Sequence, residues 1–141
     1  MIYNSYSLED TMAIACGLAQ KAKKGDIICL CGPLGAGKTV FAQGFAKGLG
    51  VQGYVNSPTF TLMQIYDDGR LPCYHFDLYR LEAPDLDALE DIGFFEYLDS
   101  DGVCLIEWAE YARQFIPSGA TWIEIERNDR NFEERKLYVR R

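Results

Sequence analysis

Apolar positions along this chain repeat first about every four residues, then in short continuous or alternating runs, and each change of period marks a new element. Leu8, Met12, Ala15, Ala19 and Ala22 recur at helical spacing behind Ser7, with Glu9 and Asp10 in the opening turn. That pattern predicts a helix from about Leu8 to Lys23, capped by Ser7. Gly25-Asp26 stops it, and "IICLC" reads as a strand buried on both faces. Past a glycine-rich corner, Phe41, Phe45 and Leu49 lie four apart on one face of a second helix, which Gly48 and Gly50 help to end. "TFTLMQIY" and "LPCYHFDLYRL" flank "DDGR", the signature of a hairpin. Pro84 suits the first turn of a helix through "DLDALEDI", and "VCLIEW" predicts another buried strand. "AEYARQF" reads as a short helix stopped by Pro117, and "TWIEIER" and "RKLYVRR" as a closing hairpin around "NDRN". With no internal repeat, linker or low-complexity stretch, residues 1–141 are expected to form a single α/β domain.

Composition changes this picture little: 48% hydrophobic and 25% charged residues belong to a globular protein. No run of 18 apolar residues is present, and "MIYNSYSLED" lacks the basic and apolar regions of a secretion signal, so no membrane association and a cytoplasmic location are expected. The five cysteines are scattered without zinc-site spacing, which predicts reduced, mostly buried thiols. Cys29 and Cys31, two apart on a strand, would share one face of the core.

Charge is more informative. Up to Glu126 the chain holds 8 basic against 18 acidic residues, whereas the last 15 residues hold 6 against 3. An acidic body is a poor surface for wrapping nucleic acid, because phosphate neutralisation needs Lys and Arg. Between Glu82 and Glu110 there are ten acids and no Lys or Arg. Such a run is a solvated face or a docking surface for a basic partner.

Against this negative background stands one anion site. Gly32-Pro33-Leu34-Gly35-Ala36-Gly37-Lys38-Thr39 satisfies G-x-x-x-x-G-K-[ST] at every fixed position, between an apolar strand and an amphipathic helix. Glycine lets the backbone N–H groups approach phosphate oxygens, and the helix that follows presents its unpaired N–H groups and positive dipole end to the same anion. Lys38 would reach the β- and γ-phosphates and the Thr39 hydroxyl would ligate Mg²⁺. A second acid at a strand end is then needed for the metal or its water. "VCLIE" ends in Glu107, the cleaner pattern for a carboxylate at the tip of a central strand, which could contact Mg²⁺ or orient the attacking water; "CYHFD" ends in Asp77, which could take the remaining role.

Three weaker signals lie nearby. Ser57, Thr59 and Thr61 of "NSPTFT" carry hydroxyls that could respond to a γ-phosphate as a switch does, although a capped turn would look the same. His75, the only histidine, reads as a satisfied structural residue, with no triad or zinc site to join. Trp108 directly follows Glu107 and packs either near the nucleotide or in the core.

The guanine-reading N-K-x-D pattern is absent, and the one D-x-x-G match, Asp99 to Gly102, precedes a strand rather than following one. ATP is therefore expected rather than GTP. A small-molecule kinase would carry an arginine-rich lid, which is missing; a nucleotide-binding module without turnover remains open.

"GPLGAGKT", "NSPTFTL", "YHFDLYRL" and "LIEWAE", in this order and spacing, resemble the TsaE family of bacterial ATPases that support threonylcarbamoyladenosine synthesis on tRNA. The resemblance covers roughly residues 7 to 126. It implies a compact P-loop NTPase fold, a mixed β-sheet flanked by helices, with ATP and Mg²⁺ as ligands and weak hydrolysis unless partners are present. It also implies partnership with the TsaD–TsaB complex, through which tRNA adenosine 37 is reached only indirectly. By position it points to Gly35, Ala36, Gly37, Lys38, Thr39 and Val40 as nucleotide-binding and to Thr39 and Glu107 on Mg²⁺. Lys38, Glu107 and Asp77 are implied as catalytic, with Trp108 flanking the site and Thr11 near the base. Family members often show a Gly-Arg pair in the last hairpin; here "DRNFEER" stands there, with Arg130 as the residue to examine.

Overall fold

The computed structural model describes residues 1–56, 58 and 61–141. Seven strands form one sheet: β1 Ile2–Ser5, β2 Ile27–Cys31, β3 Met63–Tyr66, β4 Cys73–Asp77, β5 Val103–Glu107, β6 Thr121–Arg127 and β7 Arg135–Arg140. Their order across the sheet is β1-β7-β6-β2-β5-β4-β3. The middle four, β6, β2, β5 and β4, run parallel, and the outer pairs are antiparallel. The sheet is thus mixed, as expected, with its parallel part at the centre where both faces are covered.

Helices α1 (Leu8–Gln20) and α2 (Lys38–Gly48) cover one face. There Phe41, Phe45 and Leu49 pack with Ile28, Leu30, Leu105 and Ile123, all buried. Full burial of one such side chain is worth about 1.5–3 kcal/mol. The opposite face, built from Ile27, Cys29, Cys31, Phe76 and Ile106, is covered by α3 (Leu86–Asp91), α4 (Phe94–Leu98) and a 3₁₀ segment, Ala109–Phe115. Alternate residues of β2 therefore serve opposite cores, and Cys29 and Cys31 do share a face.

Several boundaries differ from the sequence reading, each for a local reason. The N-terminal residues add β1, whose Ile2 to Ser5 pair with Tyr138 to Arg135 of β7. Helix α1 starts as predicted, with Ser7 Oγ accepting from the Asp10 N–H. It ends at Gln20, because Lys23 turns its N–H to the Asp26 carboxylate at 2.8 Å instead of continuing the ladder. Pro84 is not in the first turn of α3: Asp85 is the N-cap, accepting from the Ala88 N–H at 2.8 Å, and Pro84 precedes it. Helix α4 and a 3₁₀ turn at Tyr79–Leu81 were not foreseen.

Gly50 does end α2, in a left-handed conformation with a φ of 91°. Its N–H bonds to Lys47 O while the Val51 N–H bonds to Ala46 O, a Schellman closure. Gly48 has a different task. A Cβ there would lie 2.5 Å from Cys16 O, and one at Gly44 would lie 2.5 Å from Met12 O. The two glycines, one turn apart, let α1 and α2 touch backbone to backbone. No helix among the described residues is long and apolar enough to cross a membrane.

Candidate functional site

The carboxyl ends of β2, β4 and β5 converge on one edge of the sheet, the usual place for a ligand crevice in an open parallel sheet. The glycine-rich segment leaves β2 there and returns as α2. Its turns rest on positive φ at Gly32 (147°), Gly35 (80°) and Gly37 (105°), angles that a side chain would oppose. Gly37 is the N-cap of α2 and supplies no side-chain hydrogen bond, and the first turn holds no acid. The opening N–H groups and the dipole of this 11-residue helix are thus left for an anion.

Lys38 is only 5% exposed. Its Nζ donates to Gly32 O at 2.6 Å and Pro33 O at 2.9 Å and lies 3.9 Å from the centre of the Trp108 ring. Burial holds its pKa below the ordinary value, opposed by the negative charges of Glu110, Glu107 and Asp77. Thr39 Oγ1 donates to Glu107 Oε1 across 3.3 Å. Hydroxyl and carboxylate are both hard oxygen donors, a pair suited to Mg²⁺, which takes few protein ligands beside substrate phosphates. No cage of three or more His, Cys, Asp or Glu side chains occurs among the described residues.

Glu107 and Asp77 pair in register at the ends of β5 and β4, and each is 2% exposed. Asp77 Oδ1 accepts from the Tyr79 N–H at 3.0 Å, which fixes its direction. Immediately after Glu107 the chain turns sharply: Trp108 has a φ of 58°, unusual for a bulky residue and typical of functional sites. The turn takes the indole out of β5 and lays it between Tyr79, with centroids 4.9 Å apart, and Tyr111, at 5.5 Å.

Gly35, Gly37, Lys38, Thr39, Val40, Asp77, Glu107 and Trp108 all line one cleft of about 440 Å³. Ala36 is fully buried beneath it. Thr11 is 2% exposed, its hydroxyl 2.7 Å from that of Ser5, and it does not line the cleft; Leu8 of the same helix does. Of the switch-like residues, Ser57 and Thr59 lie outside the described residues and Thr61 is exposed. Arg130 lines a neighbouring cleft of about 400 Å³ rather than this one.

Sequence reasoning missed two cations. Arg135 donates Nε to Ala36 O at 2.8 Å and Nη2 to Gly35 O at 3.4 Å, and Arg127 donates Nη1 to Leu34 O at 3.0 Å. The last hairpin thereby grips the glycine-rich loop. The basic surplus of the final 15 residues, and the arginine that family members often show in the last hairpin, were the signals that could have pointed to it. His75 is buried, and both its ring nitrogens have partners, as expected of a satisfied residue. Its Nε2 lies 2.6 Å from Glu107 Oε2, and its Nδ1 lies 3.1 Å from the Tyr66 hydroxyl.

Comparison with known proteins gives consistent findings. The model of the family described as threonylcarbamoyl adenosine biosynthesis protein TsaE matches residues 5–137. A Bacillus subtilis protein named tRNA threonylcarbamoyladenosine biosynthesis protein TsaE is 50% identical over 119 residues, covering 84% of this chain and 73% of its own. A Treponema pallidum protein of the same name is 40% identical over 121 residues, covering 86% and 87%. The crystal structure of Bacillus subtilis YdiB superposes with a TM-score of 0.80 at 39% identity, over 97% of this chain and 82% of that one.

Proposed function

This chain belongs to the TsaE family, and from that premise we propose that it is a Mg²⁺-dependent ATPase of tRNA threonylcarbamoyladenosine biosynthesis. In this reading it acts on the TsaD–TsaB complex through ATP binding and hydrolysis in the cytoplasm, and reaches adenosine 37 of tRNA only through that complex. The observation that carries the reading is the joining of Lys38, Thr39, Glu107 and Asp77 at one cleft, beneath a helix N-terminus that has no side-chain cap.

Each residue then has a task. The backbone N–H groups of Gly35 to Thr39 cradle the phosphates, and Lys38 leaves the Gly32 and Pro33 carbonyls to pair with the β- and γ-phosphates. Thr39 and Glu107 would hold Mg²⁺, which when bound neutralises charge on the phosphate oxygens. Asp77 orients the attacking water, its carboxylate held in place by the Tyr79 N–H. Trp108 closes the side of the cleft and excludes bulk water from Lys38. An acidic protein is suited to this work because its substrate is a small anion held by local geometry, while the tRNA belongs to its partners.

The test is Mg·ATP turnover by the purified protein alone and with TsaD and TsaB, using Lys38→Ala and Glu107→Ala as controls. Turnover that rises with the partners and falls at least 100-fold in both variants supports the reading. Tight ATP binding with no turnover in any mixture would instead make the protein a nucleotide sensor.

A further inference from the structure

Tyr66, His75 and Glu107 lie on three neighbouring strands, β3, β4 and β5. In register, Gln64 opposes His75 and His75 opposes Leu105, so the three side chains run diagonally across the sheet on the face that carries α2. The imidazole is fully buried and both its nitrogens have partners: the Tyr66 hydroxyl at 3.1 Å and Glu107 Oε2 at 2.6 Å. An ionised carboxylate offers only lone pairs, so the proton of the shorter bond belongs to Nε2. The Tyr66 hydroxyl is held in turn near Gln64 Oε1, at 3.0 Å, and Asn56 O, at 3.4 Å.

What distinguishes this chain of bonds from core filling is where it ends. Glu107 uses its two oxygens in opposite directions, Oε2 inward on His75 and Oε1 outward on Thr39. Without the inner bond the carboxylate could rotate, and Oε1 would have no fixed place beside the Thr39 hydroxyl. Replacing a buried polar chain of this kind by apolar side chains is often neutral or stabilising, so core packing alone gives little reason to keep it. Carboxylates that ligate metals are commonly held by a hydrogen-bonded outer partner, whose loss costs metal affinity.

We propose that His75, backed by Tyr66, is a positioning residue that sets the Glu107 carboxylate for Mg²⁺ beside Thr39. The inference deepens the ATPase reading and rests on it. His75 touches neither nucleotide nor metal; it acts through Glu107.

Two measurements test this on the full chain. Because His75 is the only histidine, its Nε2–H gives a single imidazole resonance in a ¹⁵N-histidine sample. With ADP bound, added Mg²⁺ should shift that resonance, since the carboxylate receiving its proton changes partner. Separately, Mn²⁺ titrated in the presence of saturating ADP and followed by electron paramagnetic resonance should bind about 10–100-fold more weakly to His75→Asn. Metal-free ADP affinity should stay as in the wild type. Tyr66→Phe, which removes only a hydroxyl, should weaken Mn²⁺ in the same direction and decides the matter if His75→Asn does not fold. Equal Mn²⁺ affinity in the folded variants, with a resonance indifferent to Mg²⁺, overturns the proposal while leaving the ATPase reading intact. Failure of the wild-type protein to bind ADP would overturn that reading and this inference with it.

Discussion

Cys31 lies on the strand that feeds the glycine-rich loop, and burial pushes its thiol up to about 12; Cys73 and Cys104 are raised to about 12 by the same cause. At pH 8 such a thiol is ionised in only about one molecule in 10⁴ and is inert as a nucleophile. Iodoacetamide should therefore modify one cysteine per native chain, the half-buried Cys16, and all five after denaturation. The same shift predicts a pH effect on stability. A thiol whose folded value exceeds the ordinary 9.0 favours the folded state fully below pH 9 and loses that contribution as pH climbs from 9 toward 12. Urea midpoints measured across this range should fall. At the residue scale, Lys38, Thr39, Asp77 and Glu107 were readable in the sequence because fixed spacing or a strand end announces them. Arg135 was not, because its partner Ala36 lies 99 positions away and nothing local to either one records the contact.

Elements meet at two places where single substitutions report on the packing. Gly44→Ala drives a Cβ to within 2.5–2.9 Å of Met12 backbone atoms, which cannot swing aside as a side chain would. The helices must separate, and the cost should be about 1–3 kcal/mol in urea unfolding. Gly17 of α1 has nothing within 4 Å of its notional Cβ, so Gly17→Ala should stabilise by about 0.5–1 kcal/mol. If the two changes had equal effects, close contact between α1 and α2 would not be the reason for Gly44. The second meeting place is the β6–β7 hairpin against the glycine-rich loop. Arg135→Ala removes the bonds to Ala36 O and Gly35 O, so the loop samples more conformations in the free protein. Isothermal calorimetry should show ATP affinity reduced about tenfold, the scale of one lost charge-assisted hydrogen bond. Pairings of this kind explain the elements that local pattern did not reveal: β1 has four residues and exists because β7 offers it an edge.

For the whole molecule, a net charge of -7 with its basic surplus confined to the last hairpin sets what the surface can meet. Eight of the ten acids between Glu82 and Glu110 are exposed; Glu107 is buried in the cleft and Glu110 half-buried. This surface should not hold tRNA by itself. Fluorescence anisotropy at physiological salt should give a dissociation constant no tighter than about 10⁻⁴ M, the weak end of non-specific binding; micromolar, salt-sensitive binding would show that the hairpin cations reach the nucleic acid directly. By itself the sequence determined the α/β class, the two central strands, the glycine-rich loop between β2 and α2 and the acids at the strand ends. These depend on short-range periodicity and on conformations that particular residues permit. Only the tertiary structure decided that Glu107 faces Thr39 with one oxygen and His75 with the other, that two distant arginines brace the loop, and that Thr11 turns its hydroxyl to Ser5. Strand order and register bring those groups together, and these are set by burial of the whole sheet rather than by any local run of residues.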